Sequence, residues 1–326
     1  MLRTLRRHGP LSALLVLLAA CGGLVRSCWA PSPLSPAEMD ALHAAPDPAP
    51  ADGALAVYHL GHSLVGRDMP AMLEQLAPEG HRHHSQTGAG TSLREHWEPD
   101  VPIFMFEEAN DHPRHRDPRE ALASGDYDAF VMTEMVEIRD AIKWHDSWDY
   151  AARWTRFARE EDPGIRVYLY ETWHPLDDPE GWLARLDRDL GLYWEGEILA
   201  RVQAADGIEA PVRVIPGGQV MAAVVRAIEG TKGGVGGLAR REDLFRMRDD
   251  GTQDMIHFND IGAYLMALTH YAVLYRRSPV GLPHELLRAD GTPADAPGPE
   301  AARLMQETVW EVVTSYPKTG VPARGQ

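Results

Sequence analysis

From residue 55 onward, short apolar runs alternate with longer helical patterns, and this alternation constrains the fold more than any other feature of the chain. Residues 55–60, 82–87, 127–133, 165–171 and 212–216 read as strands, the His- and Ser-rich second run being the weakest. Helical periodicity covers 69–76, 147–160, 182–204, 220–229, 260–275 and 299–315. Parallel neighbours need crossover connections, so this order predicts a parallel sheet with helices on both faces. The expectation is one α/β domain over 54–326: three α/β/α layers around a mostly parallel, five-stranded sheet. Ligands in such sheets bind outside the carboxyl ends of the strands, so residues directly after strands are where chemistry is expected. The polar or Gly-rich stretches 98–120 and 230–253 are expected as functional loops.

A hydrophobic content of 44% is enough for a packed core. A net charge of −16 argues against nucleic acid as a partner, since phosphate-backbone binding needs clustered Lys and Arg. The two cysteines, Cys21 and Cys28, both fall near the start, leaving the rest of the chain without a disulfide or thiolate metal site. Arg3, Arg6 and Arg7 precede an apolar run over 11–20 that is short for a membrane span, the pattern of an export signal. Leu18-Ala19-Ala20-Cys21 resembles the bacterial lipoprotein box, which implies a signal peptide over 1–20 and lipidation of Cys21. Ordinary cleavage after Ala30 and a retained anchor are the alternatives. Residues 21–53 then form a Pro/Ala-rich tether, with room for a short helix near 35–44. This implies an exported protein, a periplasmic or outer-membrane lipoprotein or a secreted one. It would touch the membrane only through a lipid anchor.

Three segments could carry chemistry. Gly61-His62-Ser63-Leu64 directly follows the first strand and ahead of a helix, where amide dipoles favour a developing oxyanion. Asp254-Met255-Ile256-His257 can supply, from one loop, an imidazole to take a serine's proton and a carboxylate to orient it. Gly88-Ala89-Gly90-Thr91-Ser92-Leu93 follows the second strand, and its glycines let a backbone amide approach a ligand closely. Taken singly, each has a plain structural alternative: a helix cap, a solvated loop acid and a turn.

Together, in this order, the three segments resemble the SGNH (GDSL-like) hydrolase superfamily over about residues 55–276. Gly90-Thr91-Ser92-Leu93 with His96-Trp97, and Asp254-x-x-His257 followed by Gly262-x-Tyr264-Leu265, look like a poorly characterised bacterial branch. The resemblance implies Ser63 as nucleophile, His257 as base, Asp254 as its partner, and an oxyanion hole from the amides of Ser63 and Gly90. It also implies a flavodoxin-like fold, no cofactor, and an ester substrate, a small molecule or polysaccharide, with an acetyl group on a carbohydrate favoured. O-acyl transfer on the same residues and a non-catalytic glycan-binding role are the rivals. One block departs from the pattern: where the superfamily has an Asn, this chain has Thr133-Glu134. Either is the candidate third donor, Glu134 only if protonated. His62, Trp173 and His174 are further candidates for substrate contact at the sheet edge. Histidines 81, 83, 84, 112 and 115 lack the spacing of a metal site, so none is expected.

Overall fold

The computed structural model describes residues 31–45, 47 and 53–323. The signal peptide expected over 1–20 and the lipidation site Cys21 lie outside the described residues. Five strands, β1 (Ala56–His62), β2 (Arg82–Gly88), β3 (Ala129–Met132), β4 (Arg166–Glu171) and β5 (Arg213–Pro216), form one sheet in the order β2-β1-β3-β4-β5. Every pairing is parallel. This is the flavodoxin-like doubly wound order, in which the winding reverses beside β1.

Alternation along the strands divides the interior in two, because successive side chains point to opposite faces. Val57, Val131, Tyr168 and Ile215 join the helices Asp68–Leu76, Gly217–Gly230, Asp260–Tyr275 and Pro299–Ser315 in one apolar cluster. Tyr58, Phe130, Leu169 and Val214 join the helix Ser147–Glu161 and the 182–204 segment in the other. The result is the expected three layers. The continuous helix expected over 182–204 is instead Trp182–Asp189, a π-helical stretch Leu190–Leu199, and Ala200–Ala204. In the wide turn, the Gly191 carbonyl lies 3.2 Å from where a Cβ on Gly196 would stand, so glycine relieves the crowding.

Two other segments are more ordered than their composition indicates. The 98–120 stretch holds the helices Phe106–Asn110 and Pro118–Ala123, and 230–253 leads into a two-stranded antiparallel hairpin, β6 (Phe245–Met247) and β7 (Gln253–Phe258). Within the expected tether, Ser35 caps the helix Pro36–His43 through a capping box, and Met39 and His43 are buried. Arg213, the first residue of β5, donates to the Ala45 carbonyl at 2.9 Å and to Asp47 at 2.7 Å. Proline and alanine read as flexible linker, but one cap and one buried arginine suffice to dock this piece.

The core contains an unusual number of buried histidines. Burial pushes His62, His81, His96 and His270 down to about 4, and His83 to about 3, so all are neutral in the fold near pH 7. Their unfolded value is about 6.5, so below that pH the unfolded chain binds protons that the folded chain refuses. Their contribution is fully present above pH 6.5 and is lost as pH falls towards 4. Glu134 and Glu171, pushed up by burial to about 7 and about 8, act with the opposite sign and lose stability as pH rises above 4.5. The five histidines outnumber the two acids between pH 6.5 and 4.5. The melting temperature is therefore expected to peak near neutrality and fall steeply from pH 7 to 5, as calorimetry would show; a flat profile over that interval contradicts the account.

Candidate active site

Ser63 directly follows β1 at the carboxyl edge of the sheet, with β2 on one side and β3 on the other. This is the switch point where doubly wound sheets hold their ligands. The chain turns here, the Val65 amide donating to the His62 carbonyl at 2.9 Å, and the next helix starts only at Asp68. The helix N-terminus expected against Ser63 is thus several residues away. Ser63 is not its cap.

The turn is clamped from below by two neutral histidines. His62 is fully buried; its Nε2–H donates to the Glu134 carbonyl at 2.8 Å and its Nδ1 accepts the Leu64 amide at 3.3 Å. His96 Nε2–H donates to the Gly61 carbonyl at 2.8 Å, while Nδ1 lies 3.1 Å from Gln86 Nε2. Those bonds fix each ring's tautomer, since a carbonyl can only accept. A side chain on Gly61 would place its Cβ 2.4 Å from Thr133 Cγ2, so the strand end tolerates only glycine. His62, expected as a substrate contact, is a structural strut.

The other half of the site is a strand rather than the expected loop. β7 carries both Asp254 and His257, and the strand curls so that Asp254 caps its own neighbours. Asp254 Oδ1 accepts the amides of Ile256 and His257, each at 3.0 Å. His257 Nδ1 lies 3.0 Å from Asp254 Oδ2, and His257 Nε2 lies 2.9 Å from Ser63 Oγ. Arg246, across the hairpin on β6, donates through Nε to Asp254 Oδ2 at 3.0 Å. Burial works against the Asp254 charge, but the His257 and Ile256 amides, the imidazole and Arg246 outweigh it and hold the carboxyl well below the usual range. The structure thus brings Ser63, His257 and Asp254 into one hydrogen-bonded chain.

Trp173 and His174 also have roles other than the expected one. Both are buried. Trp173 Nε1 donates to the Ile256 carbonyl at 2.9 Å, and its ring packs on Phe258 at 5.9 Å and Phe245 at 6.3 Å. The Leu176 amide donates to the Met255 carbonyl at 2.8 Å. The segment after β4 therefore holds the backbone between Asp254 and His257, and the His174 carbonyl is taken by Trp182 Nε1. Gly262 completes the support: a Cβ there would stand 2.5 Å from Phe258 Cβ and 2.6 Å from the Leu244 carbonyl. The helix Asp260–Tyr275, capped by Asn259, can approach the hairpin only because position 262 is glycine.

A cavity of about 770 Å³ opens over Ser63 and His257. Gly88 and Ala89 line it, whereas Gly90, in a left-handed turn at φ 62°, does not. Thr133 and Glu134 do not line it either and are fully buried. Glu134 Oε1 accepts the Met135 amide at 3.0 Å and the Leu93 amide at 3.3 Å, so it caps the helix Leu93–Trp97. The expected third oxyanion donor is therefore supplied by neither residue. Arg67, which the sequence places near the mouth beside His62, does line the cavity; what sequence reasoning missed are two further cations there, Arg246 and Arg288, from distant segments with no local pattern in common. Among the described residues, no group of three or more His, Cys, Asp or Glu side chains is placed to hold a metal ion.

No protein-family model matches the chain, and no curated protein matches it. Among solved structures it is similar to the crystal structure of a DUF4886 family protein from Bacteroides uniformis ATCC 8492. The identity is 16% and the TM-score 0.51, and the match covers 81% of this chain and 96% of that one. The likeness is one of fold alone.

Proposed function

We propose that this protein is a serine ester hydrolase of the SGNH type, acting through an acyl-enzyme. The observation that carries the reading is the continuous chain from Ser63 Oγ through His257 to Asp254 at the mouth of the cavity. Ser63 Oγ attacks the ester carbonyl while His257 Nε2 takes its proton. The alcohol leaves with that proton, and a water deprotonated by His257 then releases the acid. Asp254 stays ionised throughout, holding the Nδ1–H tautomer and stabilising the imidazolium. The amide of Ser63 receives the oxyanion; Gly90, the second donor that the resemblance implies, does not line the cavity, where Gly88 and Ala89 stand instead. A small acyl group such as acetyl on a carbohydrate is the substrate class the resemblance favours, and the lipoprotein-like leader supports an exported enzyme.

A fluorophosphonate tests this reading. It should form an adduct on Ser63 that the Ser63→Ala variant does not form, and the wild type should turn over short acetyl esters. The burial of Thr133 and Glu134 favours the rival, a site kept for glycan binding without turnover. Absence of both adduct and turnover would overturn the esterase reading, and binding of a glycan by the inactive protein would then support that rival. A second test addresses the clamp. His96→Ala removes the bond to the Gly61 carbonyl and loosens the turn that aims Ser63. It should lower kcat by roughly ten- to a hundredfold with little change in KM, because misplacement by about 1 Å costs on that order; a change in KM alone would assign His96 a different role.

A further inference from the structure

Arg246 is placed oddly for a residue that merely braces Asp254. Its side chain is 56% exposed, and it lines the cavity beside His257. Nε is spent on Asp254, and Nη2 lies 3.4 Å from His257 Nδ1. Among the described residues no acceptor is paired with Nη1. A second guanidinium, Arg248, has its Nε 3.8 Å from the same Asp254 oxygen. Asp254 therefore already faces two arginines before His257 takes a proton. Protonating His257 puts a third positive charge on a single carboxylate, with one of the arginines within 4 Å of the ring. The guanidinium of Arg246 therefore stands at the cavity wall with charge that one carboxylate, shared with Arg248 and His257, does not fully neutralise.

An anion bound on Arg246 would offset this. We infer that Arg246 is a specificity-determining residue that selects esters carrying a negatively charged group, a carboxylate or a phosphate, near the scissile bond. This rests on the esterase reading and names the substrate class for it. A guanidinium suits both anions, since its fixed fork of donors matches their oxygens. Arg67, four residues beyond Ser63, is a second cation of the cavity without a carboxylate partner among the described residues, its Nη2 donating instead to the Glu108 carbonyl at 2.5 Å. Arg288 is already paired, with Asp260.

The same cavity carries four carboxylates, Asp68, Glu108, Asp111 and Asp290, and none of them is paired with Arg246 among the described residues. Asp68 accepts the Ala289 amide at 2.9 Å, and Asp290 accepts the amide and hydroxyl of Thr292 at 2.9 and 2.6 Å. Glu108 and Asp111 come from the segment after the second strand, whereas Arg246 flanks the imidazole itself. The chain's net charge of −16 repels anions at long range, but salt screens such repulsion beyond about 10 Å.

The test compares kcat/KM for matched acetyl esters of glucose, glucuronate and a glucose phosphate, which separates a neutral, a carboxylate and a phosphate substrate. The wild type should prefer at least one anionic ester by about tenfold or more. Arg246→Gln should reduce that preference to about twofold, Arg246→Lys should keep part of it, and Arg67→Gln should weaken it less. A wild type that hydrolyses all three equally overturns the inference and leaves the esterase intact. So does an Arg246→Gln variant that loses all three equally, which would make Arg246 a brace only. Absence of turnover on every ester, with no phosphonate adduct, overturns the esterase reading and this inference together.

Discussion

Ser63→Ala is expected to reduce ester turnover on the order of 10⁴- to 10⁶-fold, since removing one member of a nucleophile–base pair disables the unit. The fold should be indifferent to it. Ser63 Oγ is bonded to His257 Nε2 and caps no helix, so losing it leaves no buried main-chain group unpaired. A melting temperature within about 2 °C of wild type, alongside the lost turnover, is the expected pairing; a surface change without a buried partner shifts stability by about half a kcal/mol or less. Residual turnover within tenfold of wild type would mean that another residue attacks the ester. Asp254→Asn gives a complementary result. It should also abolish most turnover, but the amides of Ile256 and His257 would keep a carbonyl acceptor, so the hairpin should remain folded.

The largest effect on stability is expected at a residue far from the nucleophile. Arg185 is fully buried and binds three carboxylates: Glu137 at 3.0 Å, Asp178 at 2.7 Å and Asp189 at 2.8 Å. Burial opposes its charge, yet those bonds more than compensate and hold its pKa above the ordinary arginine value. Burial likewise opposes ionisation of Glu137, but Arg139 and Arg185 bring that carboxyl down to about 2. Arg185→Met would leave three acids facing one another with only Arg139 and Arg188 at the margin. Breaking one side of a buried ion network costs about 3–5 kcal/mol. For a domain of this size that corresponds to a fall in melting temperature of roughly 10 °C. Urea denaturation at constant slope would measure it, and a loss below about 1 kcal/mol would show that the network is energetically neutral. Because Glu137 follows β3 and Asp178 follows β4, the same variant should loosen the segment that grips β7.

Why some of this was legible in the sequence and some was not has a physical basis. β1, β3, β4 and β5 are buried on both faces, so they stand out as short apolar runs between helical patterns. β2 is nearly as buried but is built of His, Ser, Gln and Thr, so it reads only weakly. Ser63, Asp254 and His257 were legible through their order and spacing, and Ser63 also through its place after a strand. The hairpin that carries two of them was not, because β6 is three residues long and two of those are exposed. His62, Trp173 and His174 read as substrate contacts because they follow strands at the carboxyl edge of the sheet, and only the packed fold shows all three buried, with the rings of His62 and Trp173 bonded to backbone carbonyls. Arg246 left no local signal at all, since its meeting with Asp254 depends on the register of β6 against β7.

The docked helix Pro36–His43 gives the molecule a direction. Arg213, which holds the end of that segment, opens β5 and so lies at the amino edge of the parallel sheet, whereas Ser63 follows the carboxyl end of β1. Leu34 is bonded to Ala200, just ahead of the segment that returns to that same amino edge. The docked segment before β1 and the candidate site are thus at opposite ends of the sheet, so a change at one leaves the other's hydrogen bonds untouched.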